Sequence, residues 1–168
     1  NRAQARGATI HAEVLGGVSR ASIDAHMVAR REEAMANALA GVLAATGLGP
    51  DEIGHVQAHG LATQSCDVQE ARAIDRVFGR RKEPIPVTAA KSYFGNLGAG
   101  SGMVELIAGV LCLKNRQLFP TLNYQTPDPE CPISVVAGDG VSPGNSVVNL
   151  SVTPQGQGSA AVLGTFTG

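Results

Sequence analysis

From Ala8 to Ser19 (ATIHAEVLGGVS) apolar and polar positions alternate and β-branched residues recur, which predicts a strand. The following ASIDAHMVARR carries no clear period and reads as a loop. EEAMANALAGVLAATG changes to a period near 3.6: Met35, Leu39, Val42 and Leu43 fall on one face, two glutamates open the first turn, and Gly47 suits the position just past the helix end. LGPDEI is a connector, and His55 to Gly60 (HVQAHG) reads as a short strand. DVQEARAIDRVFG is helical, with Val68, Ala71, Ile74, Val77 and Phe78 on one face; Asp67 followed by Glu70 resembles a capping box. RRKEPIP is a charged loop, VTAAKS a third strand, and Gly98 to Leu113 an almost wholly apolar helix expected to be buried on most sides. A proline-rich crossing, PTLNYQTPDPECP, then leads to three further strand-like runs, ISVVAGD, NSVVNLSV and SAAVLGTF.

The order is βαβαβα followed by β-rich sequence. Alternation of strand and helix predicts the α/β class: a mixed, largely parallel five-stranded sheet flanked by helices, of the βαβαβαββ type, with an antiparallel tail. At 168 residues and without a dividing linker, the chain predicts one domain. Hydrophobic content of 43% against 16% charged residues is that of a globular core. A net charge of -1 and the absence of tryptophan argue against nucleic acid as a partner, and no apolar run is long enough to span a membrane. Cys66, Cys112 and Cys131 form no CxxC pair and leave an odd thiol, which fits a reducing, cytoplasmic setting. The chain begins with Asn1 and is read as a fragment, a processed product or an excised domain.

In parallel sheets, ligands meet the carboxyl ends of strands. Two such ends carry chemistry. AHGLAT puts His59 at the end of the second strand, and AAKSYFGN puts Lys91 and Asn96 at the end of the third. A histidine there can carry a proton or donate a hydrogen bond, and an asparagine can hold a carbonyl oxygen as it becomes an oxyanion. Both admit a plainer reading, as a core histidine and a turn residue. Glu105 lies in GMVELIAG among apolar residues and needs a partner if buried; Lys91 is the natural one, a helix-surface carboxylate the alternative. GAGSGM lacks the spacing of a dinucleotide fingerprint, and no P-loop or nucleophile elbow is present. His55 and His59 on a strand stand about 13 Å apart, too far to share an ion. No metal and no cofactor are expected.

Two segments together resemble a known family. VQAHGLATQSCDVQEARAI is similar to the AHGTxTxxGDxxEAxAI stretch of β-ketoacyl-acyl-carrier-protein synthases, and VTAAKSYFGNLGAGSGMVELIAGVLCL to their VxxxKSxxGHxxGAAGxxExIxxxLxL. NRQLFPTLNYQTPDPEC and RGATIHAEVLGGV also resemble that family, so the likeness covers nearly the whole chain. It implies half of a thiolase fold, the C-terminal half, and in the intact protein a decarboxylative Claisen condensation of an acyl thioester with malonyl-acyl-carrier protein. It implies His59 as the first catalytic histidine, Lys91 as the lysine beside the site and Glu105 as the buried glutamate, with Lys91 and Asn96 facing a common pocket. It further implies partnership with acyl-carrier protein and acyl and malonyl thioesters, an N-terminal half bearing the nucleophilic cysteine, and a homodimeric or heterodimeric intact protein.

Three departures stand out. Asn96 occupies the position of the family's second histidine, and an amide donates hydrogen bonds without shuttling protons. Leu61 and Ala62 replace small hydroxyl residues after His-Gly. SVTPQGQGSAA stands where the family has SFGFGGTNA, with Pro154 at the gating position and Gly156 left of the glycine run. The alternative implied is a catalytically degenerate, chain-length-factor-like subunit that shapes an acyl tunnel for a partner. A third reading is a thiolase-like relative acting on coenzyme A thioesters. The chain alone is expected to be inactive, and to expose an apolar face that the other half covers.

Overall fold

The computed structural model describes residues 2–167. In chain order the elements are α1 (Arg2–Ala5), β1 (Glu13–Ala21), α2 (Arg31–Thr46), β2 (His55–Gln57), α3 (Gln64–Phe78), β3 (Pro86–Thr88), α4 (Lys91–Phe94), α5 (Ser101–Asn115), β4 (Ser134–Val135), β5 (Ser146–Val152) and β6 (Gln157–Gly164). They form one mixed sheet in the order β1-β6-β5-β2-β3-β4. β5, β2, β3 and β4 run parallel, while β6 is antiparallel to both β5 and β1. The mixed α/β class is as the sequence predicts, but the described sheet has six strands, not five. All six strand-like runs of the sequence join it, with β1 as a long edge whose register with β6 runs from Glu13–Gly164 to Ala21–Gln157.

Strand alternation sorts the core into two faces. On β5, Val148, Leu150 and Val152 pack with Met35, Leu39 and Val42 of α2 and with Ala73, Ile74 and Phe78 of α3. Val147 points the other way, against Leu113, Leu106 and Val110 of α5. The same alternation turns Asn149 and Ser151 towards the α5 side. α2 ends where its pattern predicts, with Gly47 in the left-handed conformation at φ 72.

Four expectations need correction. β1 begins at Glu13, later than the alternation suggests. β4 is two residues long, and among the described residues it pairs with β3, at Pro86–Ser134 and Val87–Val135. α3 begins at Gln64, which leaves Asp67 inside the first turn; no capping box forms, and Thr63 stands at the N-cap without a side-chain hydrogen bond. α5 is not buried on most sides: Met103, Ile107 and Leu111, four apart, form a stripe that is about half exposed or more. Its apolar sequence therefore serves two faces, one packed on the sheet and one bare. Among the described residues no helix is long and apolar enough to cross a membrane.

His55 shows what the core does to a polar ring. It is wholly buried; its Nδ1–H donates to Pro143 O at 2.9 Å, and Nε2 has no partner. Burial lowers its pKa to about 4, against a smaller upward pull from the Pro143 carbonyl. The unfolded chain therefore takes up a proton below about 6.5 that the folded chain refuses until about 4, so stability falls as pH drops through that window. Chemical denaturation at pH 7 and pH 4 should show His55→Phe losing about 3 kcal/mol less than the unaltered chain between the two. Equal losses would mean that His55 titrates normally.

Candidate active site

β2 and β3 are adjacent and parallel, so their carboxyl ends open at one edge of the sheet, and β5 flanks β2 on its other side. His59 follows β2, Lys91 follows β3, and Ser151 lies near the end of β5. The three meet: Lys91 Nζ lies 3.2 Å from His59 Nδ1, and Ser151 Oγ 3.4 Å from the same nitrogen. Lys91 Nζ also donates to His59 O at 2.5 Å and to Glu105 Oε1, which reaches up from α5. Each ammonium hydrogen thus has an acceptor. The Lys91 and Glu105 side chains are 4% and 0% exposed, so the pair is an ion pair sealed within the protein.

That arrangement fixes the state of the imidazole. Lys91 has only hydrogens to give, so Nδ1 accepts and the neutral ring carries its hydrogen on Nε2. Burial, reinforced by the Lys91 charge, holds the pKa of His59 at about 4. At neutral pH the ring is a hydrogen-bond donor and not a free base. Burial also pushes the Glu105 carboxyl up, while the hydrogen bond and the charge of Lys91 pull it down.

A second carboxylate sets the backbone beneath His59. Glu70 Oε1 accepts the His59 N–H at 2.6 Å and Glu70 Oε2 the Gly60 N–H at 2.9 Å. Burial raises the Glu70 carboxyl to about 7 in spite of those two donors. Gly60 turns the chain at φ +50, and a Cβ there would stand 2.7 Å from the Ala89 Cβ, so only glycine passes this crossing. Two residues on, Ala62 holds a left-handed φ of 60 without that freedom, a strained conformation beside the site. Glu70 was readable in the sequence as a cap; it falls instead on the buried face of α3 with Cys66, Ala73 and Ile74, eleven residues after its histidine.

Asn96 sits in the loop between α4 and α5, with Oδ1 accepting from Gly98 N at 3.1 Å and from Ser101 Oγ at 3.0 Å. The glycines around it do less packing than their number suggests. A Cβ on Gly95, Gly98 or Gly100 would meet nothing within 4 Å; the first two serve positive φ angles of 74 and 59. The close approach to the sheet is made by Gly102, beside Ser151 Oγ, and by Gly109, beside Val147.

His59 and Asn96 both line one cleft of about 700 Å³, together with Leu61, Cys66, Asn149 and Ser151. Lys91 and Glu105 do not line it; they stand behind His59, so the expectation that the ammonium faces the pocket is corrected by its three acceptors. Asn149 was missed in the sequence reading. It is buried, interrupts an otherwise apolar run in β5, and keeps Oδ1 unpartnered. Arg31 was also missed; its Nε donates to Gln69 Oε1 at 3.0 Å on the cleft wall. Burial pushes the Cys66 thiol up, so it is a poor nucleophile at neutral pH. On the rim, Thr153 to Gly156 form a tight turn: Gly156 N–H donates to Thr153 O at 3.1 Å, Thr153 N–H to Gln157 O at 2.8 Å, and Ser22 N–H to Gly156 O at 3.0 Å.

The parallel strand ends of a mixed sheet thus present a neutral imidazole and a carboxamide in front of a buried ion pair, within an α/β fold of the thiolase type. Residues 11–125 match the family model described as "Beta-ketoacyl synthase, C-terminal domain", and the chain belongs to that family. It is 37% identical over 139 residues to 3-oxoacyl-[acyl-carrier-protein] synthase 2 of Synechocystis sp., covering 81% of this chain and 33% of that protein. The chain thus spans about a third of the length of that curated relative. Among solved structures, the ishigamide ketosynthase/chain length factor superposes with a TM-score of 0.90 at 32% identity, over 98% of this chain and 40% of that one. A type II PKS acyl-carrier protein in complex with its ketosynthase bound to the hexaketide matches with a TM-score of 0.89 at 30% identity, over 98% of this chain and 41% of that one.

The sealed ion pair carries an unequal cost of removal. Lys91→Met strands the Glu105 carboxylate and should destabilise the chain by about 3–5 kcal/mol, whereas Lys91→Met with Glu105→Leu should cost markedly less. Urea denaturation of the three proteins checks this; a double variant less stable than the single one would contradict it.

Proposed function

We propose that this chain is the C-terminal part of a β-ketoacyl synthase that condenses an acyl thioester with malonyl-acyl-carrier protein. The observation that carries the reading is the pairing of His59 and Asn96 on one cleft, the first held as an Nε2–H donor by Lys91 and Glu105. In the proposed reaction the malonyl thioester loses CO₂, and the electron pair of the broken C–C bond moves onto the thioester oxygen as an enolate. Nε2–H of His59 and the amide hydrogens of Asn96 are the donors that steady that oxygen. The enolate carbon then attacks the acyl carbonyl; the new C–C bond forms as the cysteine thiolate leaves. That cysteine belongs to the N-terminal half in this reading, as the family resemblance implies, and the thiols of Cys66, Cys112 and Cys131 are all pushed up by burial. The chain alone is therefore inactive. The intact protein is a cytoplasmic dimer whose partner is acyl-carrier protein; the structural likeness to a carrier-protein complex supports that partner.

The second reading is a chain-length-factor-like subunit. The likeness to a structure named for both a ketosynthase and a chain length factor favours it, as does an asparagine that cannot shuttle protons. The residue at the nucleophile position of the N-terminal half separates the two.

The bare face of α5 fits the same assembly. Met103, Ile107 and Leu111 form an apolar stripe on the α5 flank of the sheet, and the reading assigns it to contact with the N-terminal half. The isolated chain should self-associate in sedimentation velocity, and Ile107→Glu with Leu111→Glu should return it to a monomer; a monomeric parent chain would count against the assignment. For the chemistry, the intact protein is supplied with acyl- and malonyl-acyl-carrier protein and the β-ketoacyl product is followed by mass spectrometry. His59→Ala should lower kcat by about 10²–10³. A protein that carries the cysteine and yields no product would refute the enzyme.

A further inference from the structure

The loop that carries Asn96 fixes more than its position. Ser101, the first residue of α5, is 2% exposed, and its hydroxyl oxygen accepts the Leu97 N–H at 2.8 Å. With that approach occupied by a donor, the hydroxyl hydrogen is directed to Asn96 Oδ1, 3.0 Å away. Gly98 N–H reaches the same oxygen at 3.1 Å. Two donors converge on one atom of the Asn96 side chain. Turning the amide over would set its NH₂ against the Gly98 N–H, a donor facing a donor, and would exchange the Ser101 hydroxyl's donation for acceptance on its second lone pair. The amide therefore has one favoured orientation, and its hydrogens are the end left for a ligand in the cleft that Asn96 and Ser101 both line.

We infer that Ser101 is a positioning residue: its hydroxyl, with the Gly98 amide, locks Asn96 as an obligate hydrogen-bond donor towards an acceptor oxygen of the substrate. This rests on the proposed reading of Asn96 as a donor to the thioester oxygen. The order of the relay is Leu97 N–H to Ser101 Oγ, then Ser101 O–H to Asn96 Oδ1. Its effect matches what Lys91 does to His59, where an occupied Nδ1 leaves only Nε2–H to offer. Both cleft-lining groups are thereby set as donors, and neither is free to accept a proton at neutral pH. A site built this way discriminates in favour of ligands that bring an anionic or carbonyl oxygen between the two.

A double-mutant cycle on the intact synthase tests the role. Ser101→Ala should lower kcat about tenfold with KM changed less than about twofold, because a misaimed donor costs the transition state more than ground-state binding. Ser101→Thr, which keeps the hydroxyl, should restore most of the rate. Asn96→Asp keeps an acceptor for both loop donors but has no amide hydrogens; in that background Ser101→Ala should cost less than about twofold further. An equal loss in both backgrounds would make Ser101 structural and overturn the inference. A second readout needs no turnover: in ¹⁵N-edited NMR of the intact protein, the Asn96 side-chain amide signals, identified by their disappearance in Asn96→Asp, should shift and exchange faster with solvent in Ser101→Ala. Unchanged signals overturn the lock whatever the activity. A protein with the shift but without condensation would keep the lock and refute the proposed reaction.

Discussion

One buried ammonium organises this end of the sheet. Lys91 has three hydrogens and three acceptors: a carboxylate from α5, a backbone carbonyl and a ring nitrogen from the loop after β2. A lone charge in that position would be too costly to bury, and the Glu105 counter-ion from a separate element offsets the cost. The consequence is mutual. Lys91 pulls down the Glu105 carboxyl that burial pushes up, and His59 is held neutral in part by the ammonium behind it. Sheet order makes the meeting possible, because β2 and β3 are neighbours and end together.

The periodic helices were the most legible part of the chain. α2 and α3 show their buried faces as residues three and four apart, and both stack on one face of the sheet as such stripes require. The strands were harder. β2 and β3 are three residues each, too short for a period of two to declare itself, and were found through the composition around them. β1 is an exposed edge, so its alternation carries little burial signal and its start was misplaced. The helix of almost unbroken apolar residues misled in the opposite sense: α5 lacks a polar face, and sequence alone cannot say which of its apolar faces stays bare.

The site was legible in its parts and not in its connections. His59, Lys91, Asn96 and Glu105 stood out by residue type against apolar surroundings. That Lys91 lies behind His59 instead of beside it depends on how far the chain turns after β3, which no local pattern records. Glu70 illustrates the limit. A carboxylate three residues after an aspartate near a helix start satisfies the form of a cap, yet its place on the buried face of α3 commits it to the backbone of another loop. Asn149 carried a signal of its own, a polar residue in a buried strand, that a reading centred on strand ends passed over.

The turn from Thr153 to Gly156 closes on itself and is tied to Ser22, with a proline at its second position. Proline restricts its own torsion, so this part of the rim has little room to yield. On this side the cleft therefore keeps a fixed outline, and any widening has to come from its other walls.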